Sequence, residues 1–236
     1  MNQYMPQENT LNREQVSAEA AKAFVTQVFG YMFLALVISA TMAYAFSTSS
    51  LINHIFDPFT HKPTPLFYIS VFSPIAIVLL LGYGLEKLSL AAVIGLFVAY
   101  ASFIGISLST IFLVYDPMMI VKAFAVTAGT FGIMAVVGYT TKADLSKFGM
   151  LMMFALIGAM LAFVLNFFIK SDGLSLIVDI VFIIVFTGLI GWKMQMVRQM
   201  GEQFGTTQPK MAVWMGLQLY VTFINLFLTI LRFMRR

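Results

Sequence analysis

Cysteine is absent from this 236-residue chain, which excludes disulfides, thiolate metal sites and thiol nucleophiles. Charge is scarce as well: Asp, Glu, Lys and Arg make up 10% of the residues against 60% that are hydrophobic, and the mean hydropathy is +0.91. Soluble domains run near a quarter charged, so the composition excludes that class. Histidine is limited to His54 and His61, in one loop with Asp57, a spacing that fits no zinc-protease motif and gives no confident metal site. Serine elbows, phosphate-binding glycine loops and dinucleotide fingerprints are missing too. The chain is therefore read as a non-enzyme with no catalytic residues and no cofactor. Its net charge of +4 forms no basic face, which excludes nucleic acid as a partner.

What the sequence does have is apolar segments of membrane-crossing length. A crossing takes about 20 apolar residues, and polar borders cut out seven such segments, over 23–46, 66–84, 88–115, 119–139, 149–169, 174–192 and 211–231. Helices satisfy their backbone groups internally and so suit lipid. The expected fold is an all-α integral membrane protein of seven transmembrane helices, with the lipid bilayer as its surroundings. A polar N-terminal tail over 1–22 precedes a single transmembrane helical domain over 23–236. The first apolar run is too long for a signal-peptide core and shows no convincing cleavage signal, so the tail is read as cytosolic and the first helix as retained. The third segment is the longest by this reckoning, and Tyr115-Asp116-Pro117 is the clearest break.

Orientation follows the basic residues. With a cytosolic N-terminus the inside carries Arg13, Lys22, Lys87, Lys142, Lys147, Lys193, Arg198 and Lys210, and the outside carries Lys62, Lys122 and Lys170. That asymmetry favours the assignment. Arg232, Arg235 and Arg236 oppose it unless the last segment turns back into the membrane. In the third segment two rows of small residues, Ala91, Gly95, Ala99 and Ala101, Gly105, Ser109, have the spacing that lets helix backbones approach closely.

Polar groups inside apolar spans are the informative exceptions. Asp116, Asp172 and Asp179 share the outer side of this topology. They form either an acidic vestibule that concentrates cations or a set of helix caps and local pairs with Lys122 and Lys170. Asn166 is a further amide within a span. On the last helix Gln218, Thr222 and Asn225 fall at i, i+4 and i+7, which puts them on one face directed at the bundle interior. That face either lines a pore or bonds to neighbouring helices.

Three longer stretches, Leu108-Ser-Thr-Ile-Phe-Leu-Val-Tyr115, Gly138-Tyr-Thr-Thr-Lys-Ala-Asp-Leu-Ser146 and Phe223-Ile-Asn-Leu-Phe-Leu-Thr-Ile-Leu-Arg232, resemble the Bax inhibitor-1 family. The resemblance runs from about residue 20 to the end of the chain. It implies a seven-helix bundle with the last helix enclosed by the other six and, by likeness to bacterial members, the cytoplasmic (inner) membrane. Bacterial relatives are linked to a pH-sensitive calcium leak, eukaryotic ones to suppression of cell death, and some bacterial members bind and restrain a membrane-anchored AAA protease. The resemblance thus implies either a calcium or cation leak or a non-conducting regulator with a protease partner. A small secondary transporter is the third reading, taken from the polar residues within spans.

Two positions depart from the family pattern. Where the family reads Ala-Tyr-Asp-Thr-Gln this chain has Gly191-Trp192-Lys193-Met194-Gln195, and where it reads Leu-Tyr-Leu-Asp the chain has Leu219-Tyr220-Val221-Thr222. Lys193 and Thr222 therefore occupy the positions of the family's two aspartates, which are regarded as its proton sensor. Two close carboxylates share a proton and respond to pH; a lysine, with an ordinary pKa of about 10.4, and a threonine do not. The gate is expected to be altered, with Lys193 either pairing with a loop carboxylate such as Glu86 or snorkelling to water from the end of the sixth helix.

Overall fold

The computed structural model describes residues 5–57 and 62–236, with side chains described from residue 18 onward. His61 lies outside the described residues. Among those described, seven helices are long and apolar enough to cross a membrane. They are α1 (Met5–Thr48), α2 (Pro65–Gly84), α3 (Leu90–Leu108) with its short continuation α4 (Ile111–Val114), α5 (Pro117–Thr140), α6 (Ser146–Ile169), α7 (Asp172–Phe204) and α8 (Pro209–Met234).

Local chemistry sets the helix ends. Ser89 and Ser171 are N-caps whose hydroxyls accept from the backbone N–H groups of Ala92 and Leu174, satisfying donors that have no partner within the helix. Pro65, Pro117 and Pro209 begin α2, α5 and α8, where the missing N–H costs nothing. Asn166 lends its side-chain oxygen to the N–H of Ser171, helping α6 turn into α7 through Lys170, whose φ is 56°.

The polar N-terminal stretch is helical from Met5 onward. Two expectations about the spans are corrected. The third span is not the longest, since α1 has 44 residues and α7 has 33; it is also interrupted where the hydroxyls of Ser109 and Thr110 bond back to the carbonyls of Ile106 and Ser107, competing with the helical ladder. The sixth span does not end at 192. Hydrophobicity stops at Lys193, but the residues that follow are mostly strong helix formers, and α7 continues to Gly205, whose φ of 53° ends it as glycine readily does.

The chain forms two compact units. One comprises Gln27–Pro117 and Pro209–Tyr220. In it α2 packs on α3, with the Ser107 hydroxyl donating to that of Ser70 at 3.1 Å. Of the two small-residue rows, the second makes the expected contact: Ala101 and Ser109 are fully buried, and a Cβ on Gly105 would strike the Ser39 backbone. The first row does not, because Ala91 and Gly95 are exposed and Gly95 has nothing near its missing side chain.

The other unit comprises Met1–Thr26, Met118–Gln208 and Val221–Arg236. Here α6 packs on α7, Gly201 lies against Ala21, and Phe223 meets Phe124 and Phe131 edge-on at 5.4 and 5.6 Å. The last helix contributes to both units. Its first half touches α1 through Gly216, α2 through Trp214 and α3 through Tyr220. Its second half touches α5 through Phe223, α6 through Arg232 and α7 through Thr222. Accordingly 67% of its most apolar window is buried, against 17–44% in the other spans.

Candidate functional site

The polar groups of the membrane region gather along α7 and the second half of α8. From Gly191 to Arg198, α7 grips a different neighbour at almost every step. A Cβ on Gly138 would fall deep inside van der Waals range of the Gly191 carbonyl, and one on Gly149 would enter the Trp192 ring. These two glycines therefore let α5 and α6 close onto α7, since only a residue without a side chain permits such backbone approach.

Lys193 follows directly. It is half-buried, and its Nζ donates to Thr222 Oγ1 on α8 at 2.8 Å. It is not at a helix end, because α7 continues for three more turns. Thr222 itself is 2% exposed. Glu86, the carboxylate considered as its partner, belongs to the other unit, where it is exposed and its backbone carbonyl accepts from Lys210.

Beyond Lys193 the grip passes to the α5–α6 loop. Gln195 accepts from the N–H of Leu145 at 2.8 Å and donates to the carbonyl of Ala143 at 2.7 Å. Arg198 donates to the carbonyls of Tyr139 and Thr141 at 2.6 and 3.2 Å, where the end of α5 leaves acceptors unmet and a cation is favoured. Asp144 accepts from the N–H of Ser146 at 2.9 Å. Hydrogen bonds from the Ser146 side chain and backbone, with the nearby Lys147 charge, hold its carboxyl below the usual range. Within Gly138 to Ser146, α7 thus holds Gly138, Tyr139, Thr141, Ala143 and Leu145. Gln195 and Arg198 were not among the sequence candidates.

At the opposite end of α7 lies Asp179, 2% exposed. It is paired with Arg232 of α8 at 3.0 Å and with Arg236, just past the end of α8, at 3.2 Å. Arg236 also donates to Ser175 Oγ and to the Asp172 carbonyl, and the Arg232 guanidinium stacks over Phe163 at 5.2 Å. Asp172 lies two turns from Asp179 on the same helix and is exposed; Asp116 is exposed in the other unit. The acidic vestibule expected of these three thus meets a countercharge at its innermost member. These contacts also put the end of α8 beside the start of α7, so the second half of α8 runs antiparallel to α7, and α8 is one unbroken helix.

On the interior face of α8, Thr222 bonds to Lys193, Asn225 is half-buried with its amide donating to the Val221 carbonyl at 2.8 Å, and Gln218 is half-buried in the other unit. Among the described residues no group of three or more His, Cys, Asp or Glu gathers to hold a metal.

Comparison with known proteins is consistent across nearly the whole chain. A family model described as inhibitor of apoptosis-promoting Bax1 matches residues 21–236. The inner membrane protein YbhL of Escherichia coli is 38% identical over 216 residues, covering 89% of this chain and 90% of that one. An uncharacterized protein of Borreliella burgdorferi is 35% identical over 227 residues, covering 95% and 96%, and one of Caulobacter vibrioides is 30% identical over 230 residues, covering 94% and 92%. Seven apolar helices together with the relationship to an inner-membrane protein make this a multi-pass inner-membrane protein.

Proposed function

This chain belongs to the Bax inhibitor-1 family, and on that footing we propose that it is a cation leak pathway, with calcium as the expected ion, whose α7–α8 joint is held shut by Lys193 and Thr222. One observation carries the reading: the Lys193 ammonium donates to Thr222 Oγ1 at 2.8 Å, at the two positions that align with the family's paired aspartates. The bond fastens α7 to α8, and the ammonium sets a positive charge within the spanning region, where charges act strongly. A divalent cation moving along this joint is repelled. No carboxylate is present at either position to take up a proton.

The same reading puts the N-terminus in the cytosol. It is supported by the Lys and Arg asymmetry, and by the engagement of Arg232 and Arg236 with Asp179, which offsets part of the positive charge at the C-terminal end.

Calcium efflux from liposomes holding the purified full chain tests the proposal. The native protein is expected to leak slowly, and Lys193→Met, which keeps the length of the side chain without its charge, is expected to leak faster. Equal rates in the two would remove Lys193 from gating. If both well-folded proteins conduct nothing, the leak reading fails and the non-conducting regulator of a membrane-anchored AAA protease takes its place.

A further inference from the structure

A cavity of about 310 Å³ opens between α6, α7 and α8, a volume at the lower end of those that hold small ligands. Its walls are apolar: Leu156 and Met160 from α6, Phe182 and Phe186 from α7, Leu228 from α8. The two α7 rings are buried and stacked on each other, 5.6 Å apart at an angle of 14°. On the α6 side Met160 and Phe163 are 54% and 48% exposed, so the cavity is open to the surrounding lipid.

The cavity has direction. Phe163, Phe182 and Arg232 lie at one level, since the guanidinium of Arg232 is over the Phe163 ring and Phe163 meets Phe182 edge-on. Leu156, Phe186 and Asn225 lie deeper. From Arg232 to Asn225 the cavity follows α8 for two turns, about 10 Å at the helical rise. Its mouth is close to the end of α8 at Met234, the level at which a spanning helix meets lipid headgroups.

The mouth is positively charged. The carboxylate of Asp179 faces two guanidinium groups there, so this three-residue cluster carries one positive charge in excess, and the Nε of Arg232 is buried without a hydrogen-bond partner among the described residues. An unmet buried donor is costly, and a guanidinium is well suited to phosphate oxygens. An oily shaft about 10 Å deep with a cationic rim at the membrane surface complements one molecular class in its surroundings. We infer that this cavity binds one anionic phospholipid, with an acyl chain between α6, α7 and α8 and its phosphate at Arg232. The inference is independent of whether the protein conducts ions.

The test uses the purified full chain in mild detergent, titrated separately with phosphatidylglycerol, phosphatidylcholine and inorganic phosphate. Bound lipid is counted by native mass spectrometry and thermal stability is followed in parallel. One phosphatidylglycerol per chain is expected to survive detergent exchange, preferred over phosphatidylcholine by about tenfold, while inorganic phosphate alone gives no shift. Leu228→Trp, which fills the shaft, and Met160→Trp, which blocks it from the lipid-exposed side without entering the core, should each weaken phosphatidylglycerol retention by at least about tenfold. The paired change Asp179→Asn with Arg232→Gln keeps the charge balance and should abolish the headgroup preference while leaving chain binding. Equal retention of the two lipids by the native protein, undiminished retention in Met160→Trp, or a shift produced by inorganic phosphate alone would overturn the inference.

Discussion

The two ends of the α7–α8 contact are fastened in different ways. Near the start of α7, Asp179 meets Arg232 and Arg236, so a buried carboxylate is compensated by opposite charge and further tied through Ser175 and the Asp172 carbonyl. Four turns further along α7, Lys193 meets the neutral hydroxyl of Thr222. Charge in a membrane span is expensive unless paired. The first fastening is an ion pair, and the second is a hydrogen bond from a cation to a hydroxyl. The same two helices thus carry an ionic clasp near the start of α7 and a charged hydrogen bond further along it, and the two can be broken separately.

The comparison breaks first at Asp179. Asp179→Ala leaves two partly exposed guanidinium groups facing each other, and a loss of about 3 kcal/mol of stability is expected, measured as thermal unfolding in detergent, with little change in ion leak. If leak rose sharply while stability held, the ionic clasp would be the gate instead.

The next largest effect belongs to the stretch around Lys193. Gly138→Ala drives a methyl into the Gly191 carbonyl and should cost about 2 kcal/mol through forced separation of α5 and α7. Gly95→Ala, with open space around it, should be neutral or stabilising by about 0.5 kcal/mol. Comparable losses at both glycines would mean that the close approach at Gly138 contributes nothing.

Thr222→Val preserves shape and deletes the acceptor of the Lys193 bond. About 1.5 kcal/mol is expected, the range for a hydrogen bond to a charged group, together with faster calcium leak in liposomes. Unchanged stability and leak would reduce the Lys193 contact to a spectator.

The smallest effect is expected in the α5–α6 loop. Asp144 has its carboxyl pKa held low by Ser146 and Lys147, so it contributes stability above the ordinary carboxylate range and loses it as pH falls through its own depressed value. Asp144→Asn should melt slightly below the native protein at neutral pH, and the gap should close on acidification. A gap that widens in acid would contradict the assignment.

Much of this architecture was readable from the sequence because length and hydropathy alone define a crossing. The seven-helix count follows from the polar borders. Helix ends follow less closely: hydropathy ends at Trp192, whereas helicity depends on backbone propensity and α7 continues to Phe204. That miss placed Lys193 at a helix end and hid Gln195 and Arg198, whose partners on the α5–α6 loop are some fifty residues away or more. The resemblance marked Lys193 and Thr222 as positions of interest, but not that they touch, which depends on the rotation of two helices about their axes. Asp179 was singled out and its arginines were not. A signal existed, since consecutive antiparallel helices bring the start of α7 level with the end of α8, and Arg232 and Arg236 stand four residues apart at that end.

The most direct test of the Lys193–Thr222 latch is calcium efflux from liposomes measured across about pH 5 to 7, comparing the native protein with Lys193→Asp combined with Thr222→Asp. Two carboxylates restored at the joint would share a proton and titrate in that range. The account predicts a slow leak that barely changes with pH in the native protein and a leak that changes steeply with pH in the double variant. A native leak that already responds steeply to pH, or a folded double variant with a flat profile, would contradict it.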